Sequence, residues 1–361
     1  MRVERRQRHM VRAFWAFAAL TLAFAAWTGD GVGGGQVSLY VDDLATVAAA
    51  LIATVACVRA ARWQEGRLRL FWWLIGAASA AWGLGEIIWA YYDLVLGDVP
   101  AASWADAAYL AALPLAAAAL LVHPALRGRA SSKSRSLVDG LVLAAALFLL
   151  AWALLFEPVR EQTDLSSLDG LVTLAYPLSD IVIIFLVVLV IRGTTDSARR
   201  DLWCLLAGLL LIAFSDAIYT YLTNVTNYSS GNIIDTGWFA GYLAIALGAL
   251  SVQTKPALER RTAPSSALSP AAILAPFVPM LAALLFAAIK IELGHTLDLV
   301  TLTVAFALVG LVLVRQALLM IDLLSRRGEI DAGVGDRLVA ALGEAVPEQR
   351  PERDAALHGG T

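Results

Sequence analysis

Ten apolar stretches, each about as long as a bilayer-crossing helix, occupy most of this 361-residue chain. A helix needs about 20 mostly apolar residues to cross a hydrocarbon core roughly 30 Å thick. Inside that core every backbone N–H and C=O must find its partner within the protein, which leaves helices and closed barrels. The stretches lack the alternating pattern of barrel strands and are too long for them. They predict helices at 11–29, 39–60, 70–96, 103–123, 136–156, 165–191, 201–222, 233–252, 270–292 and 297–319. Hydrophobic residues make up 59% of the chain and charged residues 16%, against roughly 45–50% and about 25% in soluble domains. The expected class is therefore an all-α polytopic membrane bundle. The first stretch follows Arg2, Arg5, Arg6 and Arg8, as a signal peptide would. It is long for one, and the charge pattern of the loops works with the stretch retained.

The loops set an orientation. Cytoplasmic loops are rich in Lys and Arg. Of the 27 basic residues only Arg160 and Lys290 fall in the odd-numbered loops, leaving 25 on the other side. Both chain ends are thus expected in the cytoplasm. Residues 1–10 are read as a basic cytoplasmic N-terminus, 11–323 as the membrane domain and 324–361 as a cytoplasmic tail. In that tail GDRLVAALGEAV suits a short amphipathic helix, and the Pro- and Gly-containing end suits disorder. A plasma-membrane location is expected. With a net charge of −3 and the basic residues placed in loops, no nucleic-acid footprint is present.

A repeat runs through the spans. Asp43, Asp106, Asp169, Asp235 and Asp298 recur at intervals of 63, 63, 66 and 63 residues, each at the expected start of an even-numbered helix. The simplest reading is five helical hairpins of one kind. A carboxylate in a first turn favours the positive end of the helix dipole. Ser103, Ser166 and Asn232 stand three residues before three of these acids, which suits reciprocal caps.

Acids deeper in the spans are not explained by capping. An ionisable side chain in hydrocarbon is costly and usually faces the bundle interior or a wet cavity. Glu86, Asp180 and Asp216 are such residues. Helical spacing puts Glu86, Trp89 and Asp93 on one face, and Asp216 with Tyr219 on another. Asp169, Tyr176 and Asp180 form a stripe beside Pro177. Tracts 82–121 and 212–251 share an acid followed by an aromatic, a polar loop, then Asp106 with Tyr109 or Asp235 with Trp238. Together these residues predict an outward-facing, acidic and aromatic pocket suited to a small cation or amine. The alternative is an interfacial aromatic belt with capped helix ends.

No catalytic, nucleotide-binding or metal-ligand pattern emerges, and no cofactor or metal is expected. Gly31, Gly33, Gly34 and Gly35 lack the spacing and Lys of a phosphate loop. His9, His123, His295 and His358 are scattered, and Cys57 and Cys204 read as small core residues.

The tracts WGLGEIIWAYYDLVLGDVPAASWADAAYLAALPL (82–115), AYPLSDIVIIFLVV (175–188) and FSDAIYTYL with IIDTGWFAGYLAIALGAL (214–250) carry a resemblance. The chain resembles the multi-span N-terminal sensor regions of actinobacterial GGDEF/EAL proteins of cyclic-di-GMP turnover, over roughly residues 40–325. No GGDEF or EAL motif follows Arg327. The resemblance therefore implies a sensing half acting through a separate signalling partner, and no cyclic-nucleotide chemistry. Three readings follow: a non-enzymatic sensor or ligand-binding module; a secondary transporter using intramembrane carboxylates; and a lipid-modifying enzyme using carboxylates as acid and base.

Overall fold

The computed structural model describes residues 2–30, 34–100, 102–127, 130–152, 167–192, 199–225, 228–252, 277–292 and 297–344. Among them there is no strand, and the chain is an all-α polytopic membrane helix bundle. The helices are α1 (Arg2–Asp30), α2 (Gly34–Arg62), α3 (Gly66–Tyr91), α4 (Trp104–Val122), α5 (Ala130–Ala151), α6 (Leu168–Arg192), α7 (Arg199–Val225), α8 (Asp235–Val252), α9 (Phe277–Glu292) and α10 (Leu299–Glu344). A helix thus stands at each of the ten expected places. Eight of them are long and apolar enough to cross a membrane. The other two are α5, whose apolar part is Leu137–Ala151, and the 16-residue α9. Residues 153–156 and 270–276 of those two expected spans lie outside the described residues.

Residues 1–312 form one compact unit and residues 313 onward a second. The tail differs from expectation. Helix α10 does not stop at the membrane domain but continues unbroken to Glu344, taking in GDRLVAALGE. The physical reason is the absence of proline until Pro347; the interior Gly328, Gly333 and Gly335 only weaken a helix, by about 1 kcal/mol each. The final residues, where disorder was expected, lie outside the described ones. The basic N-terminus is likewise part of α1 rather than a separate segment.

In the first unit, α2, α3, α4, α6, α7 and α8 form the core, with α1 laid on α8 by the stacked rings of Phe24 and Phe239, 4.5 Å apart. Small residues let the helices approach closely, the usual device where lipid gives apolar surfaces no reason to associate. Gly76 faces Cys57 while Gly83 faces Ala50, so α2 and α3 run antiparallel. The α7–α8 contact is tighter. A Cβ on Gly208 would sit 2.6 Å from the carbonyl oxygen of Gly241, and one on Gly241 would sit 2.8 Å from that of Gly208. Gly237 and Gly241 form the small-xxx-small pair on α8 that permits this. Neither Pro114 nor Pro177 interrupts its helix.

At the far end of α4 from its cap, His123 is buried at 7% exposure, its ring edge-on to Phe71 at 4.9 Å. Its Nδ1 accepts from the backbone N–H of Ala125 at 3.2 Å. Burial pushes the imidazole down from 6.5 to about 4.

Two outcomes follow from this packing. Gly241→Ala forces α7 and α8 apart and lowers stability by about 1–3 kcal/mol in thermal unfolding in detergent. Gly310→Ala, with open space around it, is neutral or mildly stabilising and serves as the control. His123 is neutral in the fold, so its contribution is fully present above pH 6.5 and is lost as pH falls toward 4. A His123→Gln variant lacks that component of the pH dependence of the melting temperature.

Candidate functional site

Six helices converge on one cavity. Its position is set by where each helix begins. At the N-terminus of α4, Ser103 Oγ accepts from Ala105 N at 3.1 Å and Asp106 Oδ2 accepts from Ser103 N at 2.7 Å. At the N-terminus of α8, Asn232 Oδ1 accepts from Ile234 N at 3.2 Å and Asp235 Oδ2 accepts from Asn232 N at 2.7 Å. These are the reciprocal caps expected from the spacing, and each also leaves a second carboxylate oxygen for the cavity. Tyr176 donates to Asp106 Oδ1 at 2.6 Å, and Tyr228 donates to Asp235 Oδ1 at 2.8 Å. Tyr228 stands in the loop before α8. Burial and the Asp235 charge push its phenol well up, so it remains an O–H donor.

The other repeated aspartates depart from the capping pattern. At α6 the cap is Ser167, whose Oγ accepts from Gly170 N at 3.1 Å; Ser166 lies outside the described residues. Asp298 is itself the cap of α10, accepting from Thr301 N at 2.9 Å and from Trp152 Nε1 at 2.8 Å. Asp43 is not at a helix start at all. Helix α2 begins at Gly34, so Asp43 lies more than two turns inside it and is 5% exposed. Helix α2 takes in Gly34 and Gly35 and so begins earlier than its apolar pattern indicated.

Deeper acids take donors from neighbouring helices. Tyr242 of α8 donates to Glu86 Oε1 of α3 at 2.7 Å. Trp238 of α8 donates through Nε1 to Asp216 Oδ1 of α7 at 2.7 Å. The Gly231 N–H donates to Asp42 Oδ2 of α2 at 2.9 Å. Three carboxylate oxygens remain buried without a hydrogen-bond partner: Asp42 Oδ1, Asp43 Oδ2 and Asp180 Oδ2.

Aromatic rings make the wall. Tyr219 meets Trp89, Trp238 and Tyr228 edge-on, with centroids 5.9, 5.8 and 4.8 Å away. Gly85 makes room for Tyr109, since a Cβ there would overlap its ring. Among the described residues the lining contains seven carboxylates (Asp42, Asp43, Glu86, Asp106, Asp180, Asp216 and Asp235), eight Trp or Tyr side chains, and no Lys, Arg or His. Among the described residues no group of three His, Cys, Asp or Glu is arranged to hold a metal ion.

The cavity also has a floor. On each of the six helices the deepest lining residue (Thr46, Trp82, Leu113, Asp180, Ile212 or Tyr242) stands about halfway along its apolar span. Asp180 lies about 18 Å along α6 from Leu168, at a rise of ~1.5 Å per residue. That is about half of a bilayer crossing. Beyond these residues the interior is filled by Ala53, Cys57, Ile75, Ala119, Val187, Leu205 and Ala249, all buried.

Of the twelve residues expected in the pocket, Glu86, Trp89, Asp106, Tyr109, Tyr176, Asp180, Asp216, Tyr219, Asp235 and Trp238 line it. Asp93 and Asp169 do not. Asp93 falls in a wider π-helical turn, Tyr92–Leu96, which takes it off the Glu86–Trp89 face. Asp169 is exposed in the first turn of α6. Sequence reasoning missed Asp42, Tyr228 and Tyr242 and misplaced Asp43. The adjacent Asp42–Asp43 pair inside an apolar stretch was the available signal.

No known protein family, curated protein or solved structure matches this chain.

The Glu86–Tyr242 bond ties α3 to α8 across the cavity. Tyr242→Phe takes from the buried Glu86 carboxyl the nearer of its two phenol partners, leaving Tyr109, and costs about 1–3 kcal/mol in thermal unfolding. The cost falls toward zero in a Glu86→Leu background, which a double-mutant cycle reads directly.

Proposed function

We propose that this protein is a non-enzymatic membrane sensor or ligand-binding module that takes a small organic cation, such as a protonated or quaternary amine, into its half-membrane cavity. The carrying observation is the lining itself: among the described residues, seven carboxylates and eight aromatic side chains without one basic residue. Carboxylates at this depth are costly to leave without a counter-charge. Aromatic faces attract cations, more strongly where water is excluded. A ligand that is both positive and partly apolar answers both features.

The loop charges favour the outer face for the cavity mouth and the cytoplasm for both chain ends, and the plasma membrane is the proposed site of action. The filled half below Asp180 favours reception over passage. The resemblance to sensor regions of GGDEF/EAL proteins supports the same reading, with a separate cytoplasmic or membrane partner receiving the signal. Secondary transport is the second reading, favoured by Asp180 near the middle of α6 beside Pro177. It requires the apolar floor to open.

A thermal-shift assay of the purified protein tests the cation reading. Tetramethylammonium or butylamine at about 100-fold above its Kd stabilises the fold by about 2.7 kcal/mol, and acetate does not. Asp216→Asn, which keeps an oxygen for Trp238 but removes the charge, weakens the response. Equal responses of the wild type and this variant, or none to any amine, overturn the reading. Uptake of labelled butylamine into proteoliposomes would instead establish transport.

A further inference from the structure

The carboxylates of the cavity are not one cluster. Asp42, Asp43 and Asp235 belong to its upper part. Asp42 is held by the backbone of Gly231 in the loop before α8, and Asp235 is the first residue of α8. Asp180 and Asp216 belong to its lower part. Asp216 is bonded to Trp238, one turn further along α8, and Asp180 marks the deepest point on α6. Asp42 and Asp43 stand about one turn above Thr46, the deepest lining residue of α2, whereas Asp180 is itself the deepest of α6. At ~1.5 Å of rise per residue the two levels differ by roughly 5 Å, with Asp216 about one turn above the floor beside Asp180.

Each level holds unsatisfied acceptors. Above, Asp42 and Asp43 are 4% and 5% exposed, line the cavity, and each has one buried oxygen with no donor. Below, Asp180 Oδ2 is buried without a donor. One monovalent headgroup at either level leaves the other level uncompensated. Between them runs an aromatic wall of Trp89, Tyr219 and Trp238, which suits methylene carbons, and the remaining two acids, Glu86 and Asp106, already accept from Tyr242 and Tyr176.

We propose that the ligand carries two cationic nitrogens joined by a short alkyl chain, an α,ω-diamine or polyamine, with one nitrogen at Asp42 and Asp43 and the other at Asp180 and Asp216. This rests on the cation reading above and narrows it to a substrate class. Each ammonium brings three N–H donors, enough to satisfy the bare oxygens at its level. The chain between them lies along the aromatic wall.

The test is a comparison of butylamine with diaminobutane, which share a carbon chain and differ in one charge, by calorimetric titration into the full-length protein in nanodiscs. Diaminobutane is expected to bind at least about tenfold more tightly, a difference of about 1.4 kcal/mol. Asp43→Asn and Asp180→Asn should each reduce that preference to below about threefold while changing butylamine affinity less. Both substitutions are nearly isosteric and remove a charge that lacks a donor, and the wild-type comparison stands even without them. Equal affinity for the two amines overturns the two-nitrogen assignment and leaves the cation reading intact. Binding of neither amine overturns both.

Discussion

Carboxyl groups in a low-dielectric interior, with no basic side chain among the described residues that line it, are the constraint around which the cavity is organised. A buried charge of this kind is usually paired with an opposite one. Here the donors are neutral: the phenols of Tyr176, Tyr228 and Tyr242, the indole of Trp238, and backbone N–H groups at Ser103, Gly231 and Asn232. Tyr and Trp suit that role because each offers one polar tip on a large apolar body. The tip satisfies a carboxyl oxygen while the ring fills the wall. The result is a site whose acidic groups are held by neutral donors, with no Arg or Lys among the described residues that line it.

Holding those donors in place requires helices that touch closely. The α7–α8 pair carries Asp216, Trp238, Asp235 and Tyr242, and its geometry depends on Gly208 and Gly241 meeting backbone to backbone. The α2–α3 pair, which carries Asp42, Asp43 and Glu86, also meets through small residues, Gly76 against Cys57 and Gly83 against Ala50, at a less tight approach. Because these small-residue contacts continue below the cavity, the lower half of the bundle closes. The upper half is held open by rings too large to pack flush. A sealed floor and an aromatic, acidic upper chamber are thus two results of one change in side-chain size along the helices.

Much of this was legible in the residues. Hydropathy located all ten helices, because hydrocarbon permits few backbone solutions. The Ser–Asp and Asn–Asp spacings at 103–106 and 232–235 located two helix starts, because capping is local. Glu86, Asp180 and Asp216 announced an interior site because acids are too costly to face lipid. Asp43 was misread because its period matched helix starts elsewhere, and the glycines before it concealed that α2 begins at Gly34. Asp93 was misread because a regular helical face was extended across a π-helical turn that spacing does not reveal.

The sequence by itself determined the class, the helices and the presence of acids that need an interior home, since each follows from burial cost and short-range geometry. Only the tertiary structure decided that seven acids share one cavity, that Tyr228 and Tyr242 serve them, and that the cavity ends halfway through the bundle. Those depend on contacts between residues as far apart as Asp42 and Gly231 or Glu86 and Tyr242. Such contacts are set by how helices rotate and pack against one another, and no local pattern along a single helix encodes that rotation.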